Sequence, residues 1–412
     1  MTQPLTAAEA LAAAPALART FAATAREADQ NARLPVENFP LLHESGLLSL
    51  VIAPERGGLG GGLDDAITAV STIAEGEPAT ALILAMHYIQ HGQIALDDGY
   101  WPARIADQLV SSSLERGALV NAAYVEPFVG SASHGAIPQT SARREGERWL
   151  LSGHKKYVTG IDGLSWIRVM GVTDEPEARV GYFLVPADAP GIRVERTWNS
   201  LGMRATSSQD VIFEQVSLPL DAFFASAPLS EGIRHNPLDS IWYLLLVAAV
   251  YHGIAQAARK RIVEFVTHFV PGGLGAPLAS LPRFQDAIGE IEIRHTTARR
   301  LLHSIGQDYD RAAEKTPALI EALSADAAVA RLTVIQHAID VTSAALELAG
   351  NQGVSRGNDF ERHHRDVLSA RAHNPHAQLI RSNLGNRALG RKRVTPLRDG
   401  VAPARQAQAV SP

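Results

Sequence analysis

The hydrophobic period of this chain changes twice, and that pattern limits its fold more than any other feature. Up to Leu119 the apolar residues recur at helical spacing. Ala7 to Arg26 is alanine-rich with Pro15 as its only breaker, and Asp64 to Ile73 and Thr80 to Leu96 continue the period. From Val120 to Leu218 the apolar residues alternate or cluster in short runs, as in Trp149–Leu151, Trp166–Val172, Val180–Val185 and Val211–Phe213. Gly and Pro punctuate these runs, as strands and turns require. After Pro219 the helical period returns over Ser240–Thr267, Arg283–Tyr309, Pro317–Asn351 and His376–Leu389. Helices, then a sheet, then helices is an uncommon order. It predicts an α+β chain of three domains: helical over 1–118, β over 119–222, helical over 223–390, with an aperiodic tail over 391–412.

Composition narrows the function. Hydrophobic residues make up 46% and charged residues 20%, enough for a large core. The net charge is −5 and no basic run exceeds Arg391-Lys392-Arg393, so nucleic acid is not an expected partner. There are no cysteines, which removes disulfides, thiolate metal sites, iron–sulfur clusters and cysteine nucleophiles, and fits a cytoplasmic protein. Met1 to Arg19 has no basic stretch ahead of an apolar one, so no signal peptide is expected. The longest apolar run, Ile241 to Tyr251, falls short of the ~18 residues of a membrane span and predicts a helix buried on all sides.

Local motifs go further. Glu37 to Gly61 carries Gly46-Leu47 followed by Pro54-Glu55-Arg56-Gly57-Gly58; Val125 to Ser131 reads VEPFVGS and Ser152 to Gly160 reads SGHKKYVTG. Leu201 to Pro219 opens Leu-Gly-Met-Arg, Gly253 to Ala257 reads GIAQA, and Phe360 to Asp366 reads FERHHRD. Each is weak alone. In this order they resemble the acyl-CoA dehydrogenase superfamily. The resemblance implies an N-terminal helical domain, a central β-sheet or barrel domain and a C-terminal four-helix bundle. It also implies a flavin held between sheet and bundle, in a homotetramer (or dimer of dimers). The flavin contacts it implies are Tyr124, Val125, Gly130, Ser131, Tyr157, Val158, Thr159, Gly160 and His373. Thr159 would place a hydroxyl near the flavin N5 edge, while Val125 replaces the threonine that usually bonds the flavin. Trp166 and Phe128 are aromatic walls or ordinary core residues.

A dehydrogenase of this family needs a carboxylate base over its substrate. One of its two family positions, nine residues after Arg365, is Asn374; the other, ten before Gly253, is Tyr243. Neither is acidic, and Asp239, one turn before Tyr243, is the nearest substitute. The segment Ala372-His373-Asn374-Pro375-His376 instead resembles the flavin monooxygenases of this fold, such as dibenzothiophene monooxygenase. Those enzymes accept reduced flavin from a separate reductase, bind O2 and form a C4a-hydroperoxyflavin. A histidine can exchange a proton near that centre at neutral pH. His373 is the first candidate for that role, with Asn374, Thr159 and His87 beside it. The expectation is therefore a monooxygenase using reduced FMN (or FAD) and O2 on a small organic substrate; the alternative is a flavin-dependent acyl-thioester dehydrogenase with a displaced base. The segment after the long helix, Thr267 to Pro277, lacks the arginine that reaches an FAD diphosphate in dehydrogenases, which weakens a preference for FAD.

The other histidines carry blander readings. His87 and His91 lie four apart but without the glutamate of H-E-x-x-H, so no metal site is expected. His87 lines the pocket or is a hydrogen-bonded core residue. His363 and His364 read as structural, His376 supports His373 or begins a helix, Arg204 holds the edge of the sheet domain, and Glu126-Pro127 shapes its loop.

Overall fold

The structure, a computed structural model, describes residues 5–96, 98–127, 130–131, 137–233 and 236–391. Five helices come first: α1 (Ala7–Asn31), α2 (Asn38–Glu44), α3 (Leu63–Gly76), α4 (Pro78–Ile94) and α5 (Ala103–Arg116). Pro15 lies inside α1 without ending it. A capping box closes the start of α1, where Thr6 and Glu9 satisfy each other's backbone donors. Nearly every residue of α4 is buried, because α4 is wedged between the N-terminal helices, the sheet and the C-terminal bundle.

Ten strands follow between Val120 and Pro228: β1 (Val120–Ala123), β2 (Val125–Glu126), β3 (Gly130–Ser131), β4 (Ser141–Glu145), β5 (Arg148–Val158), β6 (Trp166–Thr173), β7 (Arg179–Pro186), β8 (Ile192–Glu195), β9 (Gln209–Pro219) and β10 (Phe223–Pro228). Their order is β10-β7-β6-β4-β5-β2-β3, with β1 parallel to β6 and β9 joining β5 to β8. β5 pairs with β9 through two irregularities, the second between Lys155 and Val158. Bulges of this kind re-aim side chains next to active sites. Here Tyr157 takes φ +58° and turns outward, 55% exposed.

The C-terminal block holds three long helices, α6 (Pro237–His268), α7 (Pro282–Arg311) and α8 (Pro317–Leu348), with shorter α9 (Phe360–Leu368) and α10 (Ala377–Ala388). α6 is its axis, packed on α3, α4, α7, α8 and α9. Over Leu238–His268 it is long and apolar enough to cross a membrane by length and composition, yet most of that span is buried inside the protein. This is the enclosed helix that the Ile241–Tyr251 run predicts, with Tyr243 half-buried. Gly253 explains the small-residue motif at its centre: a Cβ there would lie 2.2 Å from the Ser71 carbonyl oxygen of α3.

Candidate functional site

Of the two sequence positions at which the resemblance puts a dehydrogenase base, Tyr243 meets His373, the neighbour of the other. Tyr243 on α6 and the His373-Asn374 segment meet, with the Tyr243 hydroxyl 3.4 Å from His373 Nδ1. On the other side of the ring the Tyr251 hydroxyl lies 2.8 Å from Nε2. Arg331 of α8, 2% exposed, donates to the carbonyl oxygens of His373 (2.8 Å) and Asn374 (3.1 Å) and so fixes the segment from below. The bond between Asn374 and Pro375 is cis. Burial, reinforced by the Arg331 charge, pushes His373 down to about 3, so its imidazole is neutral at pH 7. Asn374 Oδ1 is buried without a hydrogen-bond partner among the described residues. No carboxylate bonds to this cluster among the described residues.

The sheet side is built at the end of β5. Thr159 Oγ1 lies 3.0 Å from Ser208 Oγ, which is 2.8 Å from Thr206 Oγ1. The Asn121 side chain donates to the Thr159 carbonyl (3.0 Å), and Gly160 N–H donates to Thr206 O (2.8 Å). Thr206 in turn donates to Met203 O, and Met203 N–H donates to Asp366 of α9 (2.6 Å). One polar chain thus runs from Thr159 to the C-terminal block. Gly160 has φ +79°, and a Cβ there would come within 2.9 Å of Ile83 on α4, so only glycine lets this strand end approach the helix.

The loop that follows Val125 is closed by one carboxylate. Glu126, 2% exposed, accepts from Gln139 N–H (2.6 Å), Thr140 N–H (3.0 Å), Thr140 Oγ1 (2.6 Å) and Lys155 Nζ (2.6 Å). Burial pushes its carboxyl up, but the Lys155 charge and these bonds outweigh burial and the net shift is downward. Glu126 thus ties the end of β2 to Gln139, Thr140 and Lys155.

Other sequence candidates fall elsewhere. His87 is fully buried, with Nε2 3.0 Å from Leu48 O and its ring centroid 4.4 Å from that of His91. This is the core geometry rather than a pocket lining, because α4 turns that face into the N-terminal helices. Burial pushes His87 down to about 4. Trp166 donates to Ser112 Oγ and packs with α5. Val158 is fully buried and offers only its backbone. The Tyr124 ring turns toward Tyr182 and Arg168 (5.7 and 5.9 Å), and Val125 pairs through its backbone with Lys156 and Ser131. Gly130 and Ser131 form β3. Phe128 lies outside the described residues. His376 is exposed and begins α10. Arg204 donates to the Asp29 carbonyl of α1, the edge-holding role its motif implies. His364 lies 3.3 Å from Thr342 Oγ1, and His363 is buried.

Asp239 answers to a different partner. Its Oδ2 lies 3.5 Å from Nη1 of Arg168, a fully buried arginine on β6 that also donates to Gln90, Gln93 and Tyr100. Burial pushes Asp239 up to about 6, against the pull of Arg168. Tyr251, Arg331, Asn121 and Arg168 were not singled out from sequence. A lone arginine within an apolar helix or strand was the available signal for two of them.

Comparison with known proteins decides the family. Family models match in order along the chain: acyl-CoA dehydrogenase N-terminal domain (8–97), middle domain (121–216) and C-terminal domain (245–378). The chain belongs to the acyl-CoA dehydrogenase superfamily. It is a flavin-dependent oxidoreductase. It is 30% identical over 359 residues to YdbM of Bacillus subtilis (strain 168), by name an acyl-CoA dehydrogenase, covering 87% of this chain and 91% of that one. It is 24% identical to SfnC of Pseudomonas putida, by name an FMNH2-dependent monooxygenase, covering 94% and 96%. Among solved structures, TdsC of Paenibacillus sp. A11-2 in complex with FMN and indole superposes with a TM-score of 0.82 at 25% identity, covering 94% of this chain and 98% of that one.

The residues present suit a flavin on two sides. The sheet offers an outward aromatic ring (Tyr157) and a hydroxyl (Thr159) at a bulged strand end; the bundle offers the uncharged His373, Tyr243 and the unpartnered Asn374 oxygen. Among the described residues no hydrogen bond joins Tyr157 or Thr159 directly to His373, Tyr243 or Asn374.

Proposed function

We propose that this chain is a flavin-dependent monooxygenase that takes reduced FMN (or FAD) from a partner reductase and uses O2 to oxygenate a small organic substrate at nitrogen, sulfur or an activated carbon. It would work in the cytoplasm as a homotetramer or dimer of dimers. One observation carries the reading: the two positions where the resemblance puts a dehydrogenase base hold a phenol (Tyr243) and an amide (Asn374), and the neutral imidazole of His373, next to Asn374, lies 3.4 Å from that phenol, with no carboxylate bonded there among the described residues. The likeness to SfnC and to FMN-bound TdsC supports it.

Bound flavin would supply the oxygen chemistry. The chain's own contribution is proton management and shelter. His373 holds a proton at a ring nitrogen without carrying charge, and Arg331 fixes its backbone. Thr159, in line with Ser208 and Thr206, supplies a hydroxyl on the sheet side. Val125, Tyr157 to Gly160 and the Gly130-Ser131 backbone would hold the flavin. The dehydrogenase alternative depends on Asp239, whose raised pKa suits a base but whose carboxylate is engaged by Arg168.

The test is rapid mixing of the protein with chemically reduced FMN and then aerated buffer. An absorbance band to the blue of oxidised flavin, outliving the oxidation of free flavin, supports the oxygenase. Direct return of oxidised flavin, with anaerobic bleaching of bound FAD by butyryl-CoA, overturns it in favour of the dehydrogenase. His373→Ala should retain flavin and oligomer while product falls and hydrogen peroxide rises.

A further inference from the structure

The two nitrogens of His373 face different environments, and the difference determines where its proton sits. A neutral imidazole has one N–H donor and one bare acceptor, and the hydrogen bond at one nitrogen selects the state of the other. Nε2 faces Tyr251, which is fully buried in the middle of α6. Nδ1 faces Tyr243, eight residues earlier on the same side of that helix and half-buried. The Tyr251 contact is short at 2.8 Å, the Tyr243 contact long at 3.4 Å.

Among the described residues the Tyr251 hydroxyl has no hydrogen-bond partner except His373 Nε2. Burial raises its pKa, so the phenol keeps its proton and must place it somewhere. If Nε2 carried the imidazole hydrogen, Tyr251 would accept, and its own O–H would be left buried without an acceptor. Leaving a buried donor unmatched is the costly outcome. If Tyr251 donates to a bare Nε2, both groups are satisfied and the imidazole hydrogen moves to Nδ1. Arg331 does not compete for the ring, since its donors are on the carbonyl oxygens of His373 and Asn374.

We infer that Tyr251 is a positioning residue that fixes His373 as the Nδ1–H tautomer, so that the donor N–H points to the Tyr243 side and Nε2 is withheld from the reaction. The inference deepens the proposed function and rests on His373 as its proton-handling group. It assigns direction: His373 presents its Nδ1–H as a hydrogen-bond donor beside the Tyr243 hydroxyl, and a proton leaving Nδ1 would have to be balanced by transfer of the Tyr251 proton to Nε2.

The experiment reads the tautomer without flavin, oxygen or substrate. Ring-15N-labelled histidine is introduced, two-bond nitrogen–hydrogen correlations are recorded at pH 7, and the His373 signal is assigned by its loss in His373→Gln. The wild-type pattern should be that of Nδ1–H. In Tyr251→Phe the ratio of tautomers should move toward Nε2–H by about 5-fold, the effect of losing one hydrogen bond of ordinary net strength. In Tyr243→Phe it should stay with Nδ1–H. An Nε2–H pattern in the wild type overturns the inference, whether or not any variant folds, as does an unchanged ratio in a folded Tyr251→Phe. Nδ1–H in a protein that fails the oxygen-mixing test would sink the proposed reaction and leave the tautomer assignment standing. In an active oxygenase, Tyr251→Phe should lose product per flavin oxidised while FMN affinity stays within about 2-fold, a split that general loss of packing would not give.

Discussion

Replacing Glu126 with glutamine tests what its buried pair with Lys155 contributes. The isosteric amide keeps one acceptor oxygen for Lys155 and Thr140 but presents an NH2 group to the Gln139 N–H, and it removes the one charge that, among the described residues, pairs with a fully buried ammonium. Breaking one partner of a buried pair typically costs about 3–5 kcal/mol. Here there is a relief route. Burial already pushes Lys155 down to about 8, held that high by Glu126. Without the carboxylate it drops further and the lysine sheds its proton near neutrality, which limits the loss to about 2–4 kcal/mol at pH 7. The sign of the pH dependence follows. Between its folded pKa and the unfolded value of 10.5, Lys155 binds fewer protons folded than unfolded, so stability rises with pH. In the wild type that rise begins near pH 8; in the variant it begins lower, so the gap between them should narrow by about 1.4 kcal/mol per unit from pH 7 to 8. Urea midpoints at fixed protein concentration across pH 6 to 8 measure this, with FMN titration alongside. A gap below about 1 kcal/mol, or one that does not change with pH, would refute the reasoning about a buried charge.

Three further perturbations test the site. Arg331→Met should cost about 2–4 kcal/mol in urea unfolding, since it removes two charge-assisted bonds to the His373 and Asn374 carbonyls; a loss under about 1 kcal/mol would mean the segment holds itself. Gly160→Ala should cost about 2 kcal/mol and weaken FMN binding, because it forces a side chain into φ +79° and against Ile83; unchanged FMN affinity would dissociate this turn from the flavin. Asp239→Asn should leave oxygenation yield within about 2-fold, as expected of a residue spent on Arg168 and not on the reaction; if it instead abolishes bleaching by butyryl-CoA, Asp239 is the base.

The order of the blocks was legible because each has a long, clean period, and periodicity reports which face is buried. Thr159, Tyr157 and His373 could be proposed from sequence because they sit in short local motifs. Their partners could not. Tyr251 lies in the most apolar run of the chain, where any aromatic reads as core, and its meaning depends on a contact 122 positions away. Arg331 is held by the same logic, joined to carbonyls 42 and 43 positions on. His87 could not be placed from sequence at all, since α4 is buried on every side and no face is marked as the pocket.

Charge, more than shape, separates the two reactions that this fold supports. Abstracting a proton from carbon needs an ionised base aimed into the site. The carboxylate nearest in sequence to that position, Asp239, points toward Arg168, whose guanidinium is enclosed by Tyr100, Trp101, Tyr182 and Phe224 and has no other acidic partner among the described residues. Withdrawing Asp239 to serve the reaction would leave that arginine's charge buried and unopposed, a cost of several kcal/mol. What the bundle leaves around His373 holds no bonded carboxylate among the described residues: two phenols, an amide, the neutral imidazole itself and the Arg331 guanidinium on the segment's carbonyls. Such a set cannot generate a carbanion, but it can hold a proton against an oxygen that gains negative charge. In a dry site, fixed neutral donors stabilise such charge without reorganising. The pairing of Arg168 with Asp239 and the neutrality of His373 are therefore two parts of one arrangement, and on the proposed reading only a change that frees the Asp239 carboxylate from Arg168, or puts a carboxylate beside His373, would supply the base of a dehydrogenase.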